Sequence, residues 1–371
     1  MKNDPQAAML EATRLTRAGR VSEGTTLLQR TLDIPMPEAA PARSSWCMPE
    51  ALRKWFGGAV PVRGRATPSS SPAPDFGPKS GQFLARSYDN HAGTRGYRLY
   101  VPSGYCGEPA PLVVMLHGCK QNAEDFAAGT RMNAHAEELT CLVAYPQQAA
   151  RANPSRCWNW FRPEHQRRGH GEASLIAGIT EHVMGDFFVD PQRVYVAGLS
   201  AGGAAAAIMG SAYPDLYAAV GIHSGLPCGA ACDVPSAFAA MREGGPLRYG
   251  SGANPARPTR IVPTIVFHGD QDRTVNPHNG QQVLAQAMAD TELDKSVERG
   301  QVPGGHAYTR TLYTDREGTV MLESWTIHGA GHAWSGGSPA GSYTDPRGPD
   351  ATRAMLRFFH DYARRPSAGL T

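Results

Sequence analysis

Residues Gly198-Leu199-Ser200-Ala201-Gly202 set one serine between two glycines. Ahead of them runs a short, β-branched apolar segment, RVYVAG, and behind them an alanine-rich one, AGGAAAAIMG. That order predicts a strand, a tight turn and a helix, with the serine on the turn. The two glycines give such a turn the room it requires. A serine placed there projects from a strand end, beside the first N–H groups of a helix, which have no partner within it. The chemistry this suits is attack on an acyl carbon, with the N–H of Ala201 aimed at the developing oxyanion. The pentapeptide alone fits an inert turn equally well, so the flanking strand and helix carry the reading.

A nucleophilic serine needs a base, and the base needs an orienting carboxylate. Downstream, VPTIVFHGDQDRTV ends an apolar segment with Asp270 and Asp272, and WTIHGAGHAWSGG ends another with His328 and His332. Asp272 is the preferred acid, because Asp270 directly follows His268-Gly269 and suits the capping of a turn. His332 is the preferred base, since it lies on a glycine-rich loop from which an imidazole reaches across to the serine. A second oxyanion donor is expected after an earlier strand, in PLVVMLHGCKQN. There His117 reads as a brace for the loop and the N–H of Cys119 as the donor.

These groups need a scaffold that brings strand ends together. From residue 82 onward, apolar and helical segments alternate: YRLYVP, PLVVMLHG, a helix over 123–139, CLVAYPQ, a helix from 172, RVYVAG and the alanine helix. YAAVGIHSG, VPTIVFHGD, a helix after Pro277, LESWTIHG and a last helix through ATRAMLRFFHDYA follow. Such alternation predicts an α/β domain, a mostly parallel sheet with helices on both faces. In these sheets ligands bind beyond the carboxyl ends of the strands, where every cluster named above falls. The order serine, acid, histidine is that of the α/β-hydrolase fold.

Upstream the pattern changes. Met9, Leu10, Leu15, Val21, Leu27, Leu28 and Leu32 recur at roughly helical spacing, broken at AGR, which predicts one helical hairpin and excludes a repeat array. Residues 62–81 are dense in Pro, Ser and Gly and read as a linker. The expected organisation is a helical extension over 1–61, a linker over 62–81, a catalytic domain over 82–365 and a tail over 366–371.

Composition narrows the function. With 371 residues, 41% of them apolar, the chain can bury one large core. Lys+Arg number 36 against 33 Asp+Glu, without a basic stripe or an acidic block, which argues against nucleic acid as a partner and for a neutral or small substrate. No apolar run of about 18 residues could span a bilayer, and the first residues lack the apolar core of a secretory leader. A cytoplasmic location is therefore expected, with an extracellular one as the alternative. The seven cysteines form no CxxC motif, and no cluster at ligand spacing accompanies Cys228 and Cys232, so neither a metal nor a cofactor is expected. Trp158 and Trp334 are expected to contact substrate, each offering broad apolar area and one donor, whereas Trp160 reads equally as core. Nothing in the sequence indicates an oligomeric state.

Six separated motifs, LHGCKQN, CWNWFRPEHQRRGHGEASLIAGI, VDPQRVYVAGLSAGG, AAVGIHSGLP, HGDQDRTVNPHNG and GHAWSGG, occur in one order. Together they resemble the polyhydroxybutyrate (PHB) depolymerase-type esterases of the α/β-hydrolase fold, over about residues 83–362. The resemblance implies Ser200, Asp272 and His332 as a catalytic triad and Cys119 with Ala201 as the oxyanion hole. It also implies hydrolysis of short-chain poly(3-hydroxyalkanoates) or their oligomers through an acyl-enzyme, with feruloyl and acetylxylan esterases as near relatives. Positions at the rim of the site can be bridged in this family, which implies a Cys119–Cys157 disulfide ahead of a Cys228–Cys232 one. No linker and polymer-binding domain is visible after residue 365 and no leader at the start, so oligomers, amorphous polymer or another ester are expected before crystalline polymer. Rival readings from other classes are an acyltransferase and a non-catalytic granule-surface or interaction protein; the intact serine, acid and base argue against the latter.

Overall fold

The computed structural model describes residues 81–245, 261–288 and 291–363. The chain divides into two units, residues 1–78 and 79–371, and the described residues belong to the second. The helical extension over 1–61, the linker up to residue 80, Cys47 and the tail over 366–371 lie outside them.

The central strands are β3 (Ala110–Leu116), β4 (Leu142–Pro146), β5 (Val189–Leu199), β6 (Ala219–His223), β7 (Thr264–Gly269) and β10 (Val320–Ile327). They pair in parallel in the order β4-β3-β5-β6-β7-β10. The antiparallel hairpin of β1 (Gln82–Asn90) and β2 (Gly93–Val101) extends the sheet beyond β4, and β9 (Ala307–Thr314) with β8 (Asp294–Gln301) extends it beyond β10.

In β3 the near-continuous apolar run follows from burial on both faces. Leu112, Val114 and Leu116 enter one core while Val113 and Met115 enter the other, the two-residue period of a strand. The first core is closed by α3 (Gly171–Asp186), α4 (Ala201–Ala212), α5 (Val234–Glu243) and α6 (His278–Met288). The opposite core is closed by α1 (Ala123–Thr130), α2 (Met132–Leu139) and α7 (Ala351–His360). Helix α7 shows how sequence sets this contact: Asp350 caps its N-terminus by accepting the Arg353 N–H, and Ala351, Met355, Phe358 and Phe359 share its buried stripe. The α/β architecture with helices on both faces is thus the one the alternation predicts.

Two expectations differ in detail. The single helix over 123–139 breaks at Arg131, which sits in left-handed backbone (φ 55°) and closes α1 by donating its N–H to Ala127 O. The edge strand β8 escapes the pattern because DKSVERGQ is exposed nearly throughout and carries no apolar face to detect.

Register aligns the carboxyl ends. Leu116 lies opposite Gly198, Leu199 opposite His223, His223 opposite Phe267 and Gly269 opposite Ile327. The residues that follow each strand therefore meet along one edge of the sheet.

Candidate active site

Ser200 follows β5 directly and precedes α4, with φ 57° and ψ −119°. Positive φ is uncommon for a residue with a side chain, and here the surroundings impose it. The Ser200 N–H donates to His223 O (2.9 Å) and its carbonyl accepts the Ala204 N–H (2.9 Å), so the turn is held at both sides. The neighbouring glycines are required by close approach: a Cβ on Gly202 would lie 2.0 Å from Leu116 O, and one on Gly198 2.3 Å from Gly202 O. The Ser200 hydroxyl forms no capping bond to its own helix.

The loop after β3 abuts this turn, since a Cβ on Gly118 would stand 3.6 Å from Ser200 Cβ. Its shape is set from below. His117 Nδ1–H donates to Gly118 O (2.7 Å), and His117 Nε2 accepts the Gln148 N–H (3.1 Å). Burial, opposed by the bond to Gly118 and reinforced by the Arg156 charge, pushes this imidazole down to about 4, so it is a neutral brace. Gln121 fixes the other side, its Oε1 accepting the Gly118 N–H (2.9 Å) while its Nε2 donates to Asp125 (2.9 Å) and to Ser342 O (3.1 Å). The Cys119–Cys157 disulfide, Cα to Cα 4.2 Å, ties the loop to the segment before α3. Cys228 and Cys232 are free thiols.

The two carboxylates and two imidazoles sort into separate pairs. Asp272 Oδ2 accepts from His332 Nδ1 (2.7 Å), and its Oδ1 accepts the N–H groups of Thr274 and Val275 (both 2.9 Å). Asp270 instead accepts from His328 Nδ1 (2.9 Å) and from the Gly329 N–H (2.7 Å), and His328 Nε2 bonds Thr309 Oγ1 (2.9 Å). The pairs differ in burial: the side chains of Asp272 and His332 are 0% and 11% exposed, those of Asp270 and His328 33% and 44%. Burial alone would raise the Asp272 carboxyl, but hydrogen bonds and charge from His268 and His332 outweigh it and hold the group well below the usual carboxylate range. It is ionised at any working pH. Ser200 is not hydrogen-bonded to His332 among the described residues; such bonds commonly tighten only when substrate engages.

Two tryptophans expected to contact substrate do not lie at a surface. Trp158 is 0% and Trp334 1% exposed, and each indole N–H is already satisfied, by His117 O (3.1 Å) and Thr352 Oγ1 (3.0 Å) respectively. Trp334 packs edge-on to Phe126 and face-on to His223. Both are therefore corrected to core residues that support the loops of the site. Trp160 is nearly buried as well.

Sequence reasoning missed His223. It is fully buried, stacked between Phe267 and Trp334, and its Nε2 accepts the Ser335 N–H (3.0 Å) from the loop that carries His332. Its own carbonyl holds the Ser200 N–H. Burial first, then the nearby imidazoles, push it down to about 3, so it acts as a neutral acceptor joining the serine turn to the histidine loop. A histidine at the end of an apolar strand, in AAVGIHSG, was the available signal. His268, at the end of β7, is the second such residue; its Nε2 donates to Val275 O (2.8 Å) and lies 3.4 Å from Asp272 Oδ2.

A turn-borne serine, a buried acid–imidazole pair and a braced loop at one sheet edge invite comparison with known proteins. The family profile described as Esterase PHB depolymerase matches residues 95–297. The chain belongs to this esterase family. It is 35% identical over 243 residues to poly(3-hydroxyalkanoate) depolymerase C of Paucimonas lemoignei, covering 63% of this chain and 57% of that protein. It is 29% identical over 273 residues to poly(3-hydroxybutyrate) depolymerase of Ralstonia pickettii, covering 70% and 55%. The chain thus spans little more than half the length of these depolymerases. Feruloyl esterase B of Neurospora crassa is 28% identical over 272 residues, 70% of this chain and 86% of that one. Among solved structures, an acetyl xylan esterase from Aspergillus awamori aligns with a TM-score of 0.58 at 19% identity, over 76% of this chain and 100% of that one. That likeness is one of fold, the α/β-hydrolase fold of the esterase family.

Proposed function

We propose that the protein is a serine-dependent carboxylic ester hydrolase acting on short-chain poly(3-hydroxyalkanoates) or their oligomers. The observation that carries the mechanism is the buried Asp272–His332 pair at the sheet edge that bears the Ser200 turn. Because Nδ1–H of His332 is engaged by Asp272, Nε2 carries the lone pair and takes the Ser200 proton as Oγ attacks the ester carbonyl. The N–H groups of Cys119 and Ala201 receive the oxyanion; no described residue accepts a bond from the Cys119 N–H, and the Ala201 N–H opens α4. His332 then protonates the departing alcohol, and water, activated by the same imidazole, releases the acid from Ser200. No step calls for a metal or cofactor.

A second reading, a feruloyl or acetylxylan esterase, is supported by similarity: feruloyl esterase B of Neurospora crassa is 28% identical over 272 residues, against 29% over 273 for the depolymerase of Ralstonia pickettii. Turnover of hydroxybutyrate oligomers and amorphous polymer, set against feruloyl and acetyl sugar esters, decides: oligomer cleavage supports the first reading, and exclusive sugar-ester cleavage overturns it in favour of the second. The disulfide suits an oxidising compartment, which supports the extracellular alternative.

A further inference from the structure

Two basic residues flank the Cys119–Cys157 bridge, Lys120 following one cysteine and Arg156 preceding the other. The segments carrying them are laced together, the Lys120 N–H donating to Ser155 O (2.7 Å) and Trp158 Nε1 to His117 O (3.1 Å). Both residues sit in left-handed backbone, at φ 67° and 52°. Glycine or asparagine takes that conformation with little strain, a long side chain does not, and strain of this kind concentrates where a ligand is gripped. The conformation is imposed locally: Asn153 Oδ1 accepts the N–H groups of Ser155 (3.0 Å) and Cys157 (3.4 Å), and the Arg156 N–H donates to Asn153 O (2.8 Å).

Neither cation has an ion-pair partner among the described residues. The carboxylates around the loop are already committed, Asp125 to Gln121 and Ser342, and Glu172 to Gln148, Asn159 and Arg95. Lys120 lies two residues beyond Gly118, no more than about 7.6 Å of chain from the residue that abuts Ser200.

We infer that Lys120 and Arg156 form an anion subsite beside the Ser200 turn, and that the favoured esters carry a free carboxylate, as the acid end of a hydroxyacid oligomer does. A guanidinium matches a carboxylate with two parallel N–H donors, and an ammonium on a four-carbon stem adds an adjustable point charge. Acetyl and feruloyl sugar esters, being neutral, gain nothing from the pair. The inference rests on Ser200 being the attacking group and refines the substrate class within that reading.

The test is the ratio of kcat/KM for a 3-hydroxybutyrate trimer as free acid to that for its methyl ester. The native enzyme should favour the acid about fivefold, mainly through KM, as befits one exposed and one half-buried charge. The preference should shrink at high salt, where the screening length falls to about 3 Å at 1 M. In Lys120→Gln/Arg156→Gln the ratio should approach one, while Lys295→Gln/Arg299→Gln, which removes the same charge from the exposed edge strand β8, should keep it. Equal handling of acid and methyl ester by the native enzyme, or a ratio unchanged in the rim variant, overturns the inference. The same ratio read with 3-acetoxypropanoic acid against its methyl ester, which keeps the carboxylate on the alcohol side of the scissile bond, decides the matter independently: if these show the preference while neither trimer is cleaved, the polyester reading falls and the subsite stands.

Discussion

Ser200 differs from an ordinary helix-capping serine in leaving its hydroxyl uncapped on a backbone of positive φ. Replacing Ser200 or His332 by Ala should cost about 10⁶-fold in kcat on p-nitrophenyl butyrate, the scale at which triad members act as a unit. Asp272→Asn should cost about 10⁴-fold with the fold intact, because the amide no longer dictates the tautomer of His332. Asp270→Asn should cost far less, since its carboxylate serves the more exposed His328 and the Gly329 N–H. Near-normal Asp272→Asn beside an inactive Asp270→Asn would reassign the acid. At this scale the sequence offered two acids and two histidines; position relative to strand and turn led to Asp272 and His332, the couple that the structure buries and bonds. The tryptophans were misread because residue type and chain proximity to a site say nothing of direction. Trp334 stands two residues from His332, yet its ring turns inward against Phe126 and His223.

Elements deliver these residues by register, and the contacts between strand ends leave little slack. Gly202→Ala should lower stability by about 3 kcal/mol, the upper range for overpacking, because its methyl would meet the Leu116 carbonyl; a urea midpoint equal to the native one would show that the turn relaxes freely. The disulfide closes a separation of 38 residues, for which the chain-entropy view gives about 4 kcal/mol. Cys119→Ser/Cys157→Ser should lose stability of that order in urea unfolding under non-reducing conditions, and an unchanged midpoint would mean that the strand and loop contacts alone hold the segment. The alternating elements of the central sheet were legible because strands buried on both faces read as apolar runs bounded by glycine. The edge hairpin of β8 and β9 was not, since its exposed polar face has no such contrast, and neither was the break at Arg131, which depends on a local backbone turn rather than on hydrophobic spacing.

For the molecule as a whole, acid is the vulnerable side. His117 and His223 are held neutral, near 4 and 3 when folded against about 6.5 when unfolded, so between those values the unfolded chain binds more protons. Stability is therefore full above about pH 6.5 and falls as pH drops toward the folded values, by something on the order of 4 kcal/mol between pH 8 and pH 5. The depressed Asp272 carboxyl adds loss of the same sign once pH falls below the unfolded value near 4. Urea midpoints at pH 8 and pH 5 measure this, and a flat profile would mean that neither imidazole is buried neutral. On the proposed mechanism Ser200 forms the acyl-enzyme. Treating the native protein with the serine-directed phosphate ester diethyl p-nitrophenyl phosphate, followed by peptide mapping, tests it most directly. Modification confined to Ser200, rising in step with loss of ester turnover and absent in His332→Ala over the same interval, is the expected result. Full turnover by protein modified at Ser200, or inactivation with the label on another residue, would contradict it.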